Sequence, residues 1–308
     1  MKKVLITGAT GFIGKALTKS MLSNGKSVIA VGTNIKRLDE LISYGNLQLI
    51  EADMHSYSNL HEKLINETID VFYHFAWQGV FGSAFKDYSL QLSNAKCACD
   101  ALIAAKALGC EKFVFAGSIN QFEIEKFLKE DTIEPRFTCV YATCKLAADM
   151  ICKTLAYNYG INYNAGLIAM TYGEGNKSEV LPNVIIKSLI DNKQPKLVSG
   201  NNKYDLIYID DVVNAFILIG EKGVNQKSYY VGNRNIRTFK EVVTDIRNIV
   251  NPDIELVFGE YQDSLDMDYS LIDLDKLYID TGFKCKADFR DSILRTTEWI
   301  KNNYNPSK

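Results

Sequence analysis

The chain has 308 residues, with 35 Lys and Arg against 37 Asp and Glu and a formal charge of −2. That near-balance excludes a nucleic-acid binder driven by counterion release and a polybasic membrane binder. An apolar fraction of 47% excludes wholesale disorder, and the length suits one large domain or two moderate ones.

Short apolar segments alternate with longer helical patterns. Val4–Ile6, Val28–Val31, Leu47–Ile50, Val71–Ala76 and Lys112–Gly117 read as strands, rich in β-branched and aromatic residues. Between them, Gly11–Asn24, Asn34–Tyr44, Ser56–Asn66 and Phe85–Leu108 space their apolar residues as helices do. A helix containing Tyr141 runs to about Tyr159, and a strand follows over Tyr163–Ala169. Further on come a helix (Leu181–Asn192), a strand-to-helix unit (Leu206–Gly220) and two helices (Thr238–Val250 and Asp288–Asn302). The alternation predicts an α/β fold, a doubly wound parallel sheet with helices on both faces. It divides into a dinucleotide-binding domain over residues 1–169, with a strand and helix returning near 205–232, and a smaller C-terminal lobe over 170–308.

The first strand runs into Gly8-Ala-Thr-Gly11-Phe-Ile-Gly14, and a helix follows. Three glycines at this spacing let the backbone turn tightly, approach a pyrophosphate and pack helix on strand. The helix N-terminus supplies unpaired N–H groups for the phosphates. GxxGxxG is the spacing of the short-chain dehydrogenase/reductase family, and the sequence resembles an extended member of its sugar-nucleotide epimerase/dehydratase/reductase branch. That resemblance implies a Rossmann fold, with a cofactor site drawn from Gly8, Thr10, Gly11, Phe12, Ile13 and Gly14. It adds Thr33, Asn34, Arg37, Asp53, Met54, Phe75, Ala76, Trp77 and Asn94, together with Tyr141 and Lys145. Many NAD-using relatives place an acid where Gly32 stands here. Without that carboxylate, and with Lys36 and Arg37 nearby, a 2′-phosphate is favoured, so NADP is the expected cofactor and NAD the alternative. Lys36 and Arg37 also read as a solvated helix start, and Asp53 also reads as an N-cap.

Tyr141-Ala-Thr-Cys-Lys145 places Tyr and Lys one turn apart on one helix face. An ammonium beside a phenol, with the cationic nicotinamide ring of an oxidised cofactor, favours the phenolate, which should lower the tyrosine pKa and suit it to acid–base work at a sugar oxygen. In the family this lysine also holds the nicotinamide ribose, and a serine matching Ser118 bonds the reacting oxygen. The family pattern S-S-x-x-x-Y-G is partly kept, with Gly117 for the first serine and Phe122-Glu123 for Tyr-Gly. His74-Phe-Ala-Trp77 resembles the H-x-A-A segment, with His74 structural and Trp77 lining the sugar pocket or simply packed in the core. Asn94 matches an asparagine that supports the lysine in relatives.

Relatives that dehydrate sugars carry an extra acid and base after the catalytic serine or threonine, and those that epimerise at C3/C5 carry a cysteine there. This chain has Ile119 and Asn120. The resemblance then implies hydride chemistry by Ser118, Tyr141 and Lys145 alone. That means an NADP-dependent reductase of a nucleotide-linked 4-keto sugar, or an NAD-dependent 4-epimerase, with a reductase of non-sugar carbonyls as a further alternative. Trp77, Ser118, Ile119, Asn120, Tyr141, Asn183 and Tyr204 are the expected substrate contacts. Tyr204 replaces the arginine that grips the diphosphate, and Arg234 or Arg237 is the candidate substitute.

Seven cysteines form no CxxC pair, and with three histidines no metal site is expected. Free thiols, the lack of a bilayer-length apolar run and an opening too short for a signal peptide point to a cytoplasmic protein. The resemblance implies a homodimer built on the helix over Phe85–Leu108 and the helix carrying Tyr141.

Overall fold

The computed structural model of the chain describes residues 1–65, 67–129, 138–261 and 267–303. Strands β1 (Lys3–Thr7), β2 (Ser27–Gly32), β3 (Leu47–Glu51), β4 (Val71–His74), β5 (Lys112–Ser118) and β6 (Asn162–Ile168) fall where the apolar segments predict. Short strands β7 (Met170–Tyr172), β8 (Lys203–Tyr204) and β9 (Leu206–Tyr208) precede β10 (Lys227–Val231) and β11 (Arg237–Thr238). The helices are α1 (Phe12–Ser23), α2 (Tyr88–Ala107), α3 (Gln121–Lys129), α4 (Thr138–Tyr159), α5 (Leu181–Ile190), α6 (Ile209–Lys222), α7 (Phe239–Val250), α8 (Lys276–Thr281) and α9 (Phe289–Asn303).

Seven strands form one parallel sheet in the order β10-β6-β5-β4-β1-β2-β3. This is the doubly wound, Rossmann-like arrangement. Val4–Thr7, Val28–Gly32 and Val71–His74 are buried throughout, as strands covered on both faces must be. The order reverses between β1 and β4, where Thr7 pairs with His74 in register. Ligands of open α/β sheets bind beyond the carboxyl ends of the strands at such a reversal.

The structure departs from the predicted elements in three places. Ile35–Tyr44 and Met54–Leu64 are runs of 3₁₀ turns rather than α-helices. Their buried residues explain this: Leu38 and Leu41, and Met54, Tyr57 and Leu60, lie three apart, the period that eclipses on a 3₁₀ turn. Asn66, the predicted end of the second, lies outside the described residues. The helix expected over Phe85–Leu108 is split into a 3₁₀ turn at Gly82–Lys86 and α2, because the Asp87 carboxylate accepts from the Leu90 N–H and starts a new helix. Finally, α3, α8 and the short strands β7, β8 and β11 have no counterpart in the predicted elements.

Among the described residues the chain forms two units. Unit 1 holds Met1–Ile168, Val213–Val231 and Asp273–Phe283, and therefore the whole parallel sheet. Unit 2 holds Ala169–Val212, Gly232–Ile272 and the residues from Lys284 onward, including the ladders β7·β9 and β8·β11. Among the described residues no helix is long and apolar enough to cross a membrane, and no group of three or more His, Cys, Asp or Glu is placed to hold a metal ion.

Candidate active site

The turn after β1 is built around close backbone contacts. Gly8 has φ +70°, and a Cβ there would lie 2.7 Å from the Ala76 nitrogen. A Cβ on Gly14 would lie 2.2 Å from the Gly8 carbonyl oxygen, which also accepts the Gly11 N–H at 3.0 Å. Gly11 is the exposed N-cap of α1 and has no side chain with which to satisfy the first-turn N–H groups. Thr10, Phe12 and Ile13 are half-buried around the same turn. The cradle fits the pyrophosphate of a dinucleotide: any larger residue at Gly8 or Gly14 would fill it, and the helix end presents donors to an anion.

The tip of β2 is closed by Thr10. A Cβ on Gly32 would lie 2.7 Å from Thr10 Cγ2 and 2.9 Å from Oγ1, so this strand end has no room for a carboxylate. Thr33, Asn34, Lys36 and Arg37 follow it and are exposed. Lys15, which the motif reading passed over, braces this segment: its Nζ donates to the Arg37 carbonyl at 2.8 Å and pairs with Glu40 at 2.5 Å. Asp53 accepts the His55 N–H at 2.9 Å, so the N-cap reading holds for it, and Met54 beside it is buried.

At the end of β4, His74 is buried, with Nδ1 2.8 Å from Thr7 Oγ1 and its ring stacked against Phe113 and Phe115. Burial pushes its pKa down to about 3, so it is a neutral structural histidine. Phe75 packs on Phe216 at 4.6 Å, and the Ala76 backbone abuts Gly8. Trp77 donates its indole N–H to Gln91 Oε1 at 2.8 Å, and Gln91 in turn donates to the carbonyls of Gly79 and Ala84. Asn94, buried on α2, is hydrogen-bonded to the segment after β4. Its amide accepts the Gln78 N–H at 3.0 Å and donates to the Gln78 carbonyl at 2.8 Å, clamping the segment after β4.

Ser118, Tyr141 and Lys145 converge. Ser118 Oγ accepts the Asn120 N–H at 3.2 Å, and Ser118 lies close enough to Tyr141 to favour its ionised form. Lys145 donates to the Ala116 carbonyl at 2.8 Å, and its Nζ sits 3.8 Å from the centre of the Trp77 ring. Tyr141 is covered by Phe85, stacked at 4.3 Å, and by the edge of Trp77 at 6.2 Å. Both groups are buried, and burial dominates their proton affinities. It pushes Tyr141 up to about 12, with Ser118 opposing, and pulls Lys145 down to about 7, with Asp149 opposing. The expected lowering of Tyr141 needs the cationic nicotinamide as well as the lysine; the protein alone, through burial among Phe85 and Trp77, raises the phenol and lowers Lys145. Ile119 and Asn120 follow Ser118 half-buried, and neither can act as acid or base.

Unit 2 holds the remaining predicted residues. Asn183 is buried and donates to the carbonyls of Asn176 and Ser178 at 2.8 and 2.9 Å, so its amide braces a loop. Tyr204 pairs in register with Arg237 across the β8·β11 ladder. Arg237 donates to Asp245 at 2.6 Å, and the Arg234 N–H donates to Asp205 at 2.8 Å. Glu174, which replaces the family proline, accepts from Arg295 Nε at 2.9 Å.

A dinucleotide cradle at the sheet's reversal point, with a Ser/Tyr/Lys cluster one strand away, defines a Rossmann-type oxidoreductase site. Residues 4–232 match the model of the NAD dependent epimerase/dehydratase family, and the chain belongs to that family. It is 24% identical over 318 residues to an uncharacterized protein of Methanocaldococcus jannaschii, covering 98% of this chain and 97% of that one. It is 25% identical over 323 residues to a trifunctional UDP-glucose 4,6-dehydratase/UDP-4-keto-6-deoxy-D-glucose 3,5-epimerase/UDP-4-keto-L-rhamnose-reductase of Arabidopsis thaliana, covering 98% of this chain but only 47% of that protein. Its fold is that of the UDP-N-acetylglucosamine 4-epimerase of Methanobrevibacter ruminantium, solved with UDP-N-acetylmuramic acid, at TM-score 0.83 and 21% identity over 98% of this chain and 99% of that one.

Proposed function

We propose that the protein is an NADP-dependent reductase of a nucleotide-linked 4-keto-6-deoxy sugar. The reading is carried by Ser118, Tyr141 and Lys145 gathered at the end of β5 and the start of α4, with Ile119 and Asn120 adding no further acid or base. A phenol pushed up to about 12 is a proton donor at neutral pH. In reduction the phenol donates its proton to the carbonyl oxygen as hydride reaches the adjacent carbon. Bound nicotinamide would supply the hydride. Ser118 would hold the sugar oxygen, Tyr141 would protonate it, and Lys145, near its own pKa of about 7, would return a proton to the phenol.

Three further features support the finer points. The closed β2 tip, followed by exposed Thr33, Asn34 and Arg37, suits a 2′-phosphate better than a free ribose diol. Ile119 and Asn120 argue against dehydration, because elimination needs an acid and a base at that place. Exposed Tyr88, Leu92 and Ile103 on α2, with Met150, Ile151 and Tyr157 on α4, provide apolar surface for a homodimer.

The test is spectrophotometric. Purified protein given TDP-4-keto-6-deoxyglucose should consume NADPH in a one-to-one ratio and use NADH poorly. Interconversion of UDP-glucose and UDP-galactose without added cofactor would instead establish the epimerase.

A further inference from the structure

Gln121 lies outside the three-residue cluster, yet it joins the strand end carrying Ser118 to the helix carrying Tyr141 and Lys145. Its side-chain oxygen accepts the Ser118 N–H at 2.9 Å, and its amide donates to Asp149 Oδ2 at 2.9 Å. Asp149 stands one turn after Lys145 on α4, and its other oxygen accepts the Tyr163 hydroxyl of β6 at 2.8 Å. Gln121 and Asp149 are both buried, so neither bond competes with water. Space for the bridge exists because residue 117 is glycine: a Cβ there would come within 2.7 Å of Gln121 Oε1. The small residue at 117, which stands for the first serine of the family pattern, thus admits the long side chain of Gln121.

We propose that Gln121 is a positioning residue, which sets the Ser118 hydroxyl against Tyr141 by tying the Ser118 backbone to Asp149 on the helix that bears Tyr141 and Lys145. The Asn120 N–H donates to Ser118 Oγ from the same turn, so the hydroxyl proton is directed away from the backbone. A backbone tied at Ser118 N and a hydroxyl tied at Oγ leave the side chain one orientation. The inference rests on the proposed reductase chemistry, but its geometry belongs to the Ser118–Tyr141 pair.

Two variants test it. Gln121→Leu removes both bonds at similar volume and should lower kcat with TDP-4-keto-6-deoxyglucose by about 10- to 100-fold, with the Kd for NADPH unchanged. Gln121→Glu keeps the acceptor for Ser118 and sets a second carboxyl beside Asp149. While that pair holds one proton the bridge stands. As pH rises and both ionise, they repel and it breaks. The charged and titratable groups acting on Asp149 are Lys145 and Lys153 on α4 and Tyr163 on β6, and Tyr163 in turn feels Cys152 and Cys99. Relative to the unaltered protein, Gln121→Glu should therefore be active at low pH and fall off as pH rises, and Ser118 amide protection against hydrogen exchange should fall with it. Wild-type kcat in Gln121→Leu, or a flat pH ratio and flat protection in Gln121→Glu, would overturn the proposal. If the unaltered protein turns over no nucleotide sugar, the reductase reading fails, and the exchange measurement alone decides the role of Gln121.

Discussion

The two units use their buried polar groups differently. In unit 1, around the ends of β4 and β5, side chains bond to side chains: Thr7 to His74, Trp77 to Gln91, and Gln121 and Tyr163 to Asp149. In unit 2, Tyr172 meets Ser292 side chain to side chain, while Asp211 accepts the N–H groups of Lys286 and Ala287, Asp205 that of Arg234, and Asn183 donates to two loop carbonyls. Groups that face one another in a dry site alter one another's proton affinity. Groups that grip backbone fix a loop. Tyr141, Lys145 and His74, all displaced from their ordinary pKa by burial, belong to unit 1. If Ser118, Tyr141 and Lys145 carry the chemistry, substitutions in unit 1 should cost turnover and those at the loop braces of unit 2 should cost stability alone.

The largest effect is expected at Tyr141. Tyr141→Phe removes the proton donor but keeps the ring stacked on Phe85, and should lower kcat by about a thousandfold with the Kd for NADPH within a few-fold. Stopped-flow hydride transfer checks this, and a loss below tenfold would detach the chemistry from this cluster. A smaller effect is expected at Arg37, whose carbonyl is braced by Lys15 while its side chain is exposed. Arg37→Ala should weaken NADPH by roughly tenfold and leave NADH unchanged, measured by fluorescence titration. Equal losses for both would remove the 2′-phosphate contact. In unit 2, Asp211→Asn leaves one of two backbone donors without a charged acceptor and should cost about 1–3 kcal/mol, seen as a lower Tm with kcat preserved. A tenfold fall in kcat there would erase the distinction between the units.

The elements that periodicity and glycine spacing encode were legible in the sequence. Alternating apolar segments and helical patterns anticipate the parallel sheet, and Gly8, Gly11 and Gly14 mark the turn by their spacing, although the contact that crowds Gly8 comes from distant Ala76. Ser118, Tyr141 and Lys145 could be named together because a family pattern orders them along the chain. Partnerships between distant positions were not legible. Nothing local to Gln121 points to Asp149, 28 positions on, and nothing about Trp77 announces an ammonium against its ring. Nor could residue types alone give the direction of the Tyr141 shift. A neighbouring lysine favours the phenolate only while it is charged, and the burial that decides this comes from Phe85, Trp77 and Phe115, on separate elements.

The smallest predicted effect isolates that burial. Lys145 ordinarily titrates at 10.5 and is lowered to about 7 in the fold, principally by desolvation. Between these values the unfolded chain holds a proton that the folded chain has released, so stability rises with pH across that window. Below about 7 both states are protonated, and the folded chain carries the full cost of a buried ammonium, offset in part by the Ala116 carbonyl and the Trp77 face. Lys145→Met removes that cost at similar length. It should raise Tm by about 3 °C at pH 6.5 while abolishing turnover, and the gain should shrink as pH approaches 10. Calorimetric scans across that range test the sign directly. A Tm that falls at pH 6.5 would mean that the carbonyl and the indole more than offset desolvation, and that Lys145 stays charged beside Tyr141 at neutral pH. The proton relay would then run from an ammonium of ordinary pKa, and the contrast between the two units would rest on the phenol alone.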